Sequence, residues 1–308
     1  DIYRRSFKAV EGLGELVAAL TLPCRYRHRS TLYLAAGEAG FSELSREHDL
    51  RRRADLPGEL LTAGDLQRSF GFDRPGAIWS PGSADVEPAC LTDALLRVAR
   101  SRGAKLLAAE AVGLESDASG VTVALADGGE ARARHVVLAT GYSMPHVLPQ
   151  GLHKVSTSWA LMTEPQEPGA LWRDEALLWE ASAGYSYART TPDGRMIFGG
   201  EDESWHDPDK AAALLSTKTG TLLSKLGELR PHANLTVSAA WAGAFGETLD
   251  GLPLIGRVPG QRRVLAAYGY GGNGITFSFM ASRLLGALIQ GEEREWFEAF
   301  ALDRQASV

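Results

Sequence analysis

One stretch near the C-terminus constrains the fold more than any other. In AAYGYGGNGITFSFMASRLLGALI an apolar strand runs into Gly269, Gly271, Gly272 and Gly274, and then into a helix expected over residues 275–289 with small residues in its first turns. Glycines at such a junction let backbone N–H groups come close to whatever lies beyond the strand. A helix start carries unpaired donors and about half a positive charge, so the turn suits an anionic group set against it. The element therefore predicts α/β architecture with a ligand at the strand end. The same glycines also permit a tight turn that meets no ligand, and the neighbouring sequence has to decide between the two.

The rest of the chain alternates between two styles. Ile2, Ala9, Val10, Leu13, Leu16, Val17 and Leu20 recur at helical spacing, so the sequence opens on an amphipathic helix with no strand before it. Gly12 and Gly14 fall inside that helical pattern and read as tolerated helix glycines. A strand over 30–35 and a helix over 39–47 follow, then polar turns to about Pro75. A helix over 91–102, stopped by Gly103, leads to a strand over 105–112, strands over 120–126 and 130–134, and the apolar run 135–140 closed by Gly141. That run reads as a buried parallel strand. Beyond Pro149 come strands rich in Trp, Tyr and Thr (157–163, 176–179, 185–191, 195–199), with hairpin chemistry at Pro192, Asp193 and Gly194. They predict an antiparallel sheet, covered by a helix that starts at Asp207 and Pro208 and carries Leu215, Leu222, Leu226 and Leu229 on one face. The last third returns to α/β style through strands over 235–241 and 264–267.

Composition removes several classes of partner. With 308 residues, 44% hydrophobic and 23% charged, the chain has ordinary globular values and length for two cores. A net charge of -6 offers no basic surface for phosphates, and the run Arg51 to Arg53 is flanked by acids, so nucleic acid is excluded as a partner. Cys24 and Cys90 are too few for a disulfide framework or a zinc site, and no metal cluster is expected. No apolar run reaches the roughly 18 residues of a membrane span, and no signal peptide is expected. A cytoplasmic location is the expectation.

Immediately upstream of the glycine turn lies WAGAFGETLDGLPLIGRVPG, and the pairing of the two resembles the D-amino-acid-oxidase (DAO) family of FAD enzymes, which includes glycine and sarcosine oxidases. Trp241, Gly243, Thr248, Asp250, Gly251, Pro253, Ile255 and Gly256 carry the match. Further matches in family order lie in ADVEPACLTDALLRVARSRGAKLL, HVVLATGYSMPHVLP and TTPDGRMIFGGED, so the resemblance spans nearly the whole chain. It implies an α/β fold: a Rossmann-like FAD-binding domain of the GR2 type (1–20, 76–150 and 250–308) interleaved with an antiparallel-sheet, α+β substrate domain (21–75 and 151–249). It also implies FAD as cofactor and oxidation of the C–N bond of an amine or amino acid by hydride transfer to flavin N5, the resulting imine being hydrolysed by water. The cofactor supplies the chemistry, and protein groups position the substrate.

Residues expected at the FAD are Gly141, Asp250, Gly251, Gly269, Gly271, Gly272, Asn273, Gly274, Ile275 and Thr276, with the helix start against the N1 and C2 carbonyl edge of the reduced ring. Alternation along GYSYART places Tyr185, Tyr187 and Arg189 on one strand face, able to bind a carboxylate or stack on an amine. Phe245 and Tyr270 complete the substrate candidates; none is assigned a catalytic role. A structural cation at Arg189 and core tyrosines are the competing reading. Trp159 and Trp179 read as packing residues, and His206 as an exposed neighbour of a helix cap.

Three departures from the family pattern matter. The strand, GxGxxG turn and helix with which the family begins, and the acidic residue that follows them, are not in this sequence, so a βαβ unit of at least roughly 30 residues is expected to be missing and the chain to bind FAD weakly and to be inactive alone. Amino-acid-specific members place an arginine just after the Trp-x-Gly element, where this sequence has Ala244 and Phe245, which opens the choice to a bulky or secondary amine like those of glutamylputrescine-type oxidases. Members with cysteine-linked flavin place the cysteine near the same loop; none stands there, so FAD is expected to be noncovalent. An unpaired sheet edge would favour self-association. The competing functional reading is a non-catalytic binding protein on the same fold. An NAD-dependent dehydrogenase is disfavoured by the DGLPLIG element beside the turn.

Overall fold

The computed structural model describes residues 2–36, 40–182 and 184–304; the expected helix start at residue 39 and the expected domain limits at residues 1 and 308 lie outside them. In chain order the elements are α1 (Ile2–Ala19), β1 (Arg27–Ala35), α2 (Gly40–Arg53), β2 (Glu59–Thr62), α3 (Ala63–Phe70), β3 (Gly76–Asp85) and α4 (Pro88–Ser101). They continue with β4 (Ala111–Ser116), β5 (Val121–Leu125), β6 (Glu130–Ala133), β7 (Val136–Leu138), β8 (Lys154–Thr163), β9 (Leu177–Ala181), β10 (Tyr187–Thr190) and β11 (Met196–Glu203). The last are α5 (Pro208–Leu229), β12 (Val237–Glu247), β13 (Leu254–Val258), β14 (Gln261–Tyr268) and α6 (Gly274–Ile289). No helix among the described residues is long and apolar enough to cross a membrane.

The chain divides into two compact units, the first from the described parts of 1–11, 25–86 and 156–244, the second from those of 12–24, 87–155 and 245–308. β3, which falls within the expected FAD-binding range 76–150, pairs with β1 and β2 in the first unit.

The first unit is built on one eight-stranded sheet of order β12-β8-β11-β10-β9-β1-β3-β2. Neighbours joined by short hairpins, such as β9, β10 and β11, run antiparallel, whereas β1 lies parallel to β9. The sheet is thus mixed: β1 comes from a distant part of the chain, and no turn dictates its direction. One face carries Leu32, Leu34, Trp159, Leu161, Leu178, Ala188 and Phe198, buried under Leu66 and Phe70 of α3 and Leu222, Leu226 and Leu229 of α5. Two helix starts fix these covers. Thr62 and Asp65 form a reciprocal capping box ahead of α3, and the Asp207 carboxylate accepts hydrogen bonds from the Asp209 and Lys210 amides with Pro208 in the first turn of α5. On the opposite face Leu44 of α2 packs on Ala35 and Ile78.

The second unit holds two three-stranded sheets, β13-β14-β7 and β4-β5-β6. β14 and β7 are parallel, with Val136 opposite Val264 and Leu138 opposite Ala266, as the apolar run and its closing glycine predict. Buried Phe277, Met280, Leu284 and Leu288 anchor α6. Of the strand expected over 105–112, residues 105–110 form no ladder, and regular pairing begins only at Ala111. Ahead of that pairing the Glu110 carbonyl accepts one hydrogen bond, from the Ala126 amide at 2.9 Å.

Candidate cofactor and substrate sites

The second unit gathers the glycines. Because β7 and β14 are parallel neighbours, their C-terminal ends, followed by Gly141 and Gly269, stand at the same end of one sheet. Ligands of parallel sheets sit at this end. Gly141, Gly269 and Gly271 adopt φ of 62°, 73° and 56°, which side-chain-bearing residues rarely reach. The turn is braced from β12, since the Gly271 N–H donates to the Gly246 carbonyl at 2.7 Å. Gly246 is itself packed tightly, a Cβ there lying 3.0 Å from the His153 ring and 3.3 Å from Tyr142. Asn273 caps α6 without a side-chain hydrogen bond, and no acidic residue stands in the first turn. By helix geometry the N–H groups of Gly274, Ile275 and Thr276 have no intrahelical acceptor.

These features fit a flavin edge. A Cβ built on Gly141, Gly271, Gly272 or Gly274 meets no atom within 4 Å, so a flat ligand can approach this backbone, and the donors of the α6 start supply positive potential. Tyr270 follows Gly269; burial pushes its phenol pKa up, partly opposed by a hydrogen bond with Ser278. Phe245 lies near the end of β12, half-buried.

Asp250 is tied into the protein on several sides. Its carboxylate accepts hydrogen bonds from Arg304 at 2.8 Å through both oxygens, from the Leu252 amide at 3.0 Å and from Thr248 at 3.1 Å. The Arg304 side chain, 10% exposed against 11% for Asp250, also donates to the carbonyls of Leu252 and Pro253. Chiefly through Arg304, the carboxyl is held down at about 2. Asp250 and Gly251, which takes φ 69°, thus shape the loop that leads into β13. Nearby, the rings of His153 and Tyr268 meet edge to face at 5.2 Å, burial lowers the pKa of the imidazole and raises that of the phenol, and neither His153 Nδ1 nor the Tyr268 hydroxyl has a hydrogen-bond partner among the described residues. Neither residue stood out in the sequence.

Of the substrate candidates of the first unit, Tyr187 and Arg189 lie in β10, and Tyr185, expected in the same strand, stands two residues before its start. Tyr185 and Tyr187 lie 6.3 Å apart between ring centroids, while Ala188 and Thr190 of the same strand are buried on the other side. The Tyr187 ring lies over Gly199, where a Cβ would come within 2.3 Å of it, so the glycine of this strand is what admits the ring. Its hydroxyl meets Ser158 Oγ at 3.3 Å. Burial raises the phenol pKa first, with Asp202 adding to the shift and Ser158 opposing it. Arg189 is half-buried one row along, its Nη1 donating to the Thr190 carbonyl at 3.5 Å.

Two tryptophans separate here. Trp159 is fully buried, as expected, with its indole N–H on the Ala211 carbonyl at 3.2 Å. Trp179, also read as packing, is instead 46% exposed and stands directly opposite Tyr187 in the ladder. The phase of the strand explains the difference: Leu178 takes the core position, so its neighbour faces outward. His206 is exposed just before the Asp207 cap, as expected.

A glycine turn at the carboxyl ends of parallel strands, opening a helix, together with a large mixed sheet in a separate unit, defines an α/β nucleotide-cofactor oxidoreductase fold. The family is specific: the FAD dependent oxidoreductase (DAO) model matches residues 1–288, and the chain belongs to that family and uses FAD. It is 30% identical over 320 residues to a glycine oxidase of Bacillus licheniformis, covering 100% of this chain and 82% of that protein. It is 25% identical to the gamma-glutamylputrescine oxidoreductase of Escherichia coli strain K12, over 96% of this chain and 69% of that protein. Among solved structures, glycine oxidase from Geobacillus kaustophilus superposes with a TM-score of 0.82 at 22% identity, covering 97% of this chain and 82% of that one.

Proposed function

We propose that this protein oxidises the C–N bond of an amine or amino acid, with a bulky or secondary amine favoured over a small α-amino acid. The observation that carries the reading is the turn from Gly269 to Gly274, braced on Gly246 and opening α6 at the carboxyl end of parallel β7 and β14. When bound, FAD supplies the two-electron acceptor for the substrate. The N–H groups of Gly274, Ile275 and Thr276 hold negative charge at its ring edge, and Gly141, Gly271 and Gly272 let the backbone approach. Tyr185, Tyr187 and Arg189 orient the substrate, and the aromatic surface excludes water from it. The preference for an amine rests on Ala244 and Phe245, which leave no cation after the Trp241-x-Gly243 element to pair a substrate carboxylate.

The chain holds FAD noncovalently, since neither the 241–256 loop nor the glycine turn contains a cysteine. Its own affinity for FAD is low. Among the described residues of the second unit one strand passes through a glycine turn into a helix, and one such helix start serves one anionic group, whereas FAD presents both a ring edge and a pyrophosphate. Titrating the purified chain with FAD, recording the flavin spectrum after gel filtration, and then screening amines and amino acids anaerobically for bleaching tests the whole reading. Amine-dependent bleaching with added FAD is expected. Its absence with every amine and amino acid overturns the oxidation, and stoichiometric FAD surviving gel filtration overturns the weak binding.

A further inference from the structure

In the second unit one imidazole touches both glycines that hold the turn. Gly246 is buried between two rings, a Cβ on it lying 3.0 Å from Cδ2 of His153 and 3.3 Å from Cε1 of Tyr142. Gly269, where the turn begins, sits between the Thr248 methyl and the His153 side chain, a Cβ there lying 3.1 Å from the first and 3.8 Å from the second. The two glycines also lie against each other, 3.6 Å from a Cβ on Gly246 to the Gly269 Cα. The Gly246 carbonyl in turn accepts the Gly271 N–H at 2.7 Å. On another side Tyr268 meets the imidazole edge to face, with ring centroids 5.2 Å apart.

This packing suits a neutral ring and not a charged one. Nδ1 of His153 is buried without a hydrogen-bond partner among the described residues, and Tyr268, 3% exposed, presses a hydroxyl that is likewise unpartnered into the same cluster. The titratable groups packed against the ring are the phenols of Tyr268 on β14 and Tyr142 after β7. The charges on the neighbouring elements are exposed Lys154, Glu247 beside Gly246, and the mutually paired Asp250 and Arg304. An imidazolium here buries a charge together with an Nδ1–H that has no acceptor, and burial accordingly lowers the imidazole pKa.

We infer that His153 is a positioning residue of the flavin turn: as a neutral ring it keeps Gly246 against Gly269 and so sets the amides from Gly271 to Thr276 where the flavin edge lies. The inference rests on the flavin reading of that turn proposed above. His153 acts through the two glycines and not on a reacting atom. A proton on the imidazole is accommodated by moving the ring toward water, which loosens Gly246 from Gly271. Because the folded ring titrates below the ordinary value of about 6.5, its contribution is complete above about pH 6.5 and is lost as the pH falls below that. Flavin affinity thereby falls in mild acid.

Two readouts test this, one of them without flavin. In the purified chain labelled with nitrogen-15 glycine, exchange of the Gly271 amide, corrected for the intrinsic pH dependence of exchange, should lose at least about threefold of its protection between about pH 7.5 and about pH 5. FAD titrated by fluorescence should bind at least about threefold more weakly across the same interval. His153→Phe keeps a ring between the glycines and takes up no proton, so both profiles should flatten while the affinity near pH 7.5 stays within about twofold of the wild type. His153→Ala removes the ring and should weaken FAD about tenfold at either pH. Where His153→Phe does not fold, His153→Gln, neutral at every pH, makes the same comparison. A ring that only fills space leaves the acid dependence unchanged in these neutral variants, and that result, or flat profiles in the wild type, overturns the positioning role. Gly271 protection that follows His153 while FAD adds none at Gly271, Gly272 and Gly274 keeps the brace and overturns the flavin reading. FAD protecting those amides with no dependence on His153 keeps the flavin reading and overturns the inference.

Discussion

The two units of this chain solve the same packing problem differently. In the first, a single eight-stranded sheet has one face closed by α3 and α5, and its largest side chains, Trp159 and Phe72 among them, are wholly buried. In the second, two small sheets leave large apolar side chains at the surface, including Leu106 at 69% and Leu107 at 64% exposure, together with Val112, Val137 and Tyr142. Polar ties such as Asp250 with Arg304 and the Gly271 amide on Gly246 fix its turns. The contrast teaches that one broad sheet closes its core under two helices, whereas two small sheets leave part of their apolar surface uncovered.

Substitutions at matched positions would break or sharpen that contrast. The largest effect is expected from Trp159→Ala in the first unit, which opens a cavity in a closed core and should cost about 3–5 kcal/mol in denaturant unfolding. A loss below about 1 kcal/mol would mean that this core is far looser than its burial shows. Next comes Arg304→Ala in the second unit, which leaves the Asp250 carboxylate in a nearly buried site without its cation and should cost about 3 kcal/mol.

Acid gives the same tie a second signature. The folded Asp250 carboxyl titrates at about 2, and the unfolded one near ~4, so unfolding takes up a proton between those values. The stability it contributes is complete above about pH 4 and is lost as the pH falls toward about 2. Stability measured across that range should therefore fall less steeply in Arg304→Ala than in the wild type; parallel curves would show that the pair does not carry the acid dependence.

Gly271→Ala forces a side chain into a left-handed conformation and should cost about 1 kcal/mol, while lowering FAD affinity more than it lowers stability. Equal losses in fluorescence-monitored FAD binding and in unfolding free energy would remove the special role of this turn. The smallest change is expected for Leu107→Ser, on exposed backbone outside any ladder, which should stay within about 0.5 kcal/mol. A loss as large as that of a core leucine would show that the second unit is closed after all.

Much of this was written in the sequence, because it depends on residues close together along the chain. Glycines at 269, 271, 272 and 274 between an apolar strand and a helix specify a strand–turn–helix wherever they fold, and the helix starts at Asp207 and Pro208 carry their own local signals. Alternation alone placed Tyr185 and Tyr187 on one face. What the sequence could not decide were the pairings between distant segments. The parallel docking of β1 on β9 brings Tyr33 beside Trp179, and Arg304 reaches back to Asp250. None of these contacts leaves a local trace, since a residue's face depends on strand phase and its partner on which edge it joins. Local chemistry thus determined which elements form and where the glycine turn opens a helix, and only the tertiary structure decided which distant side chains stand together.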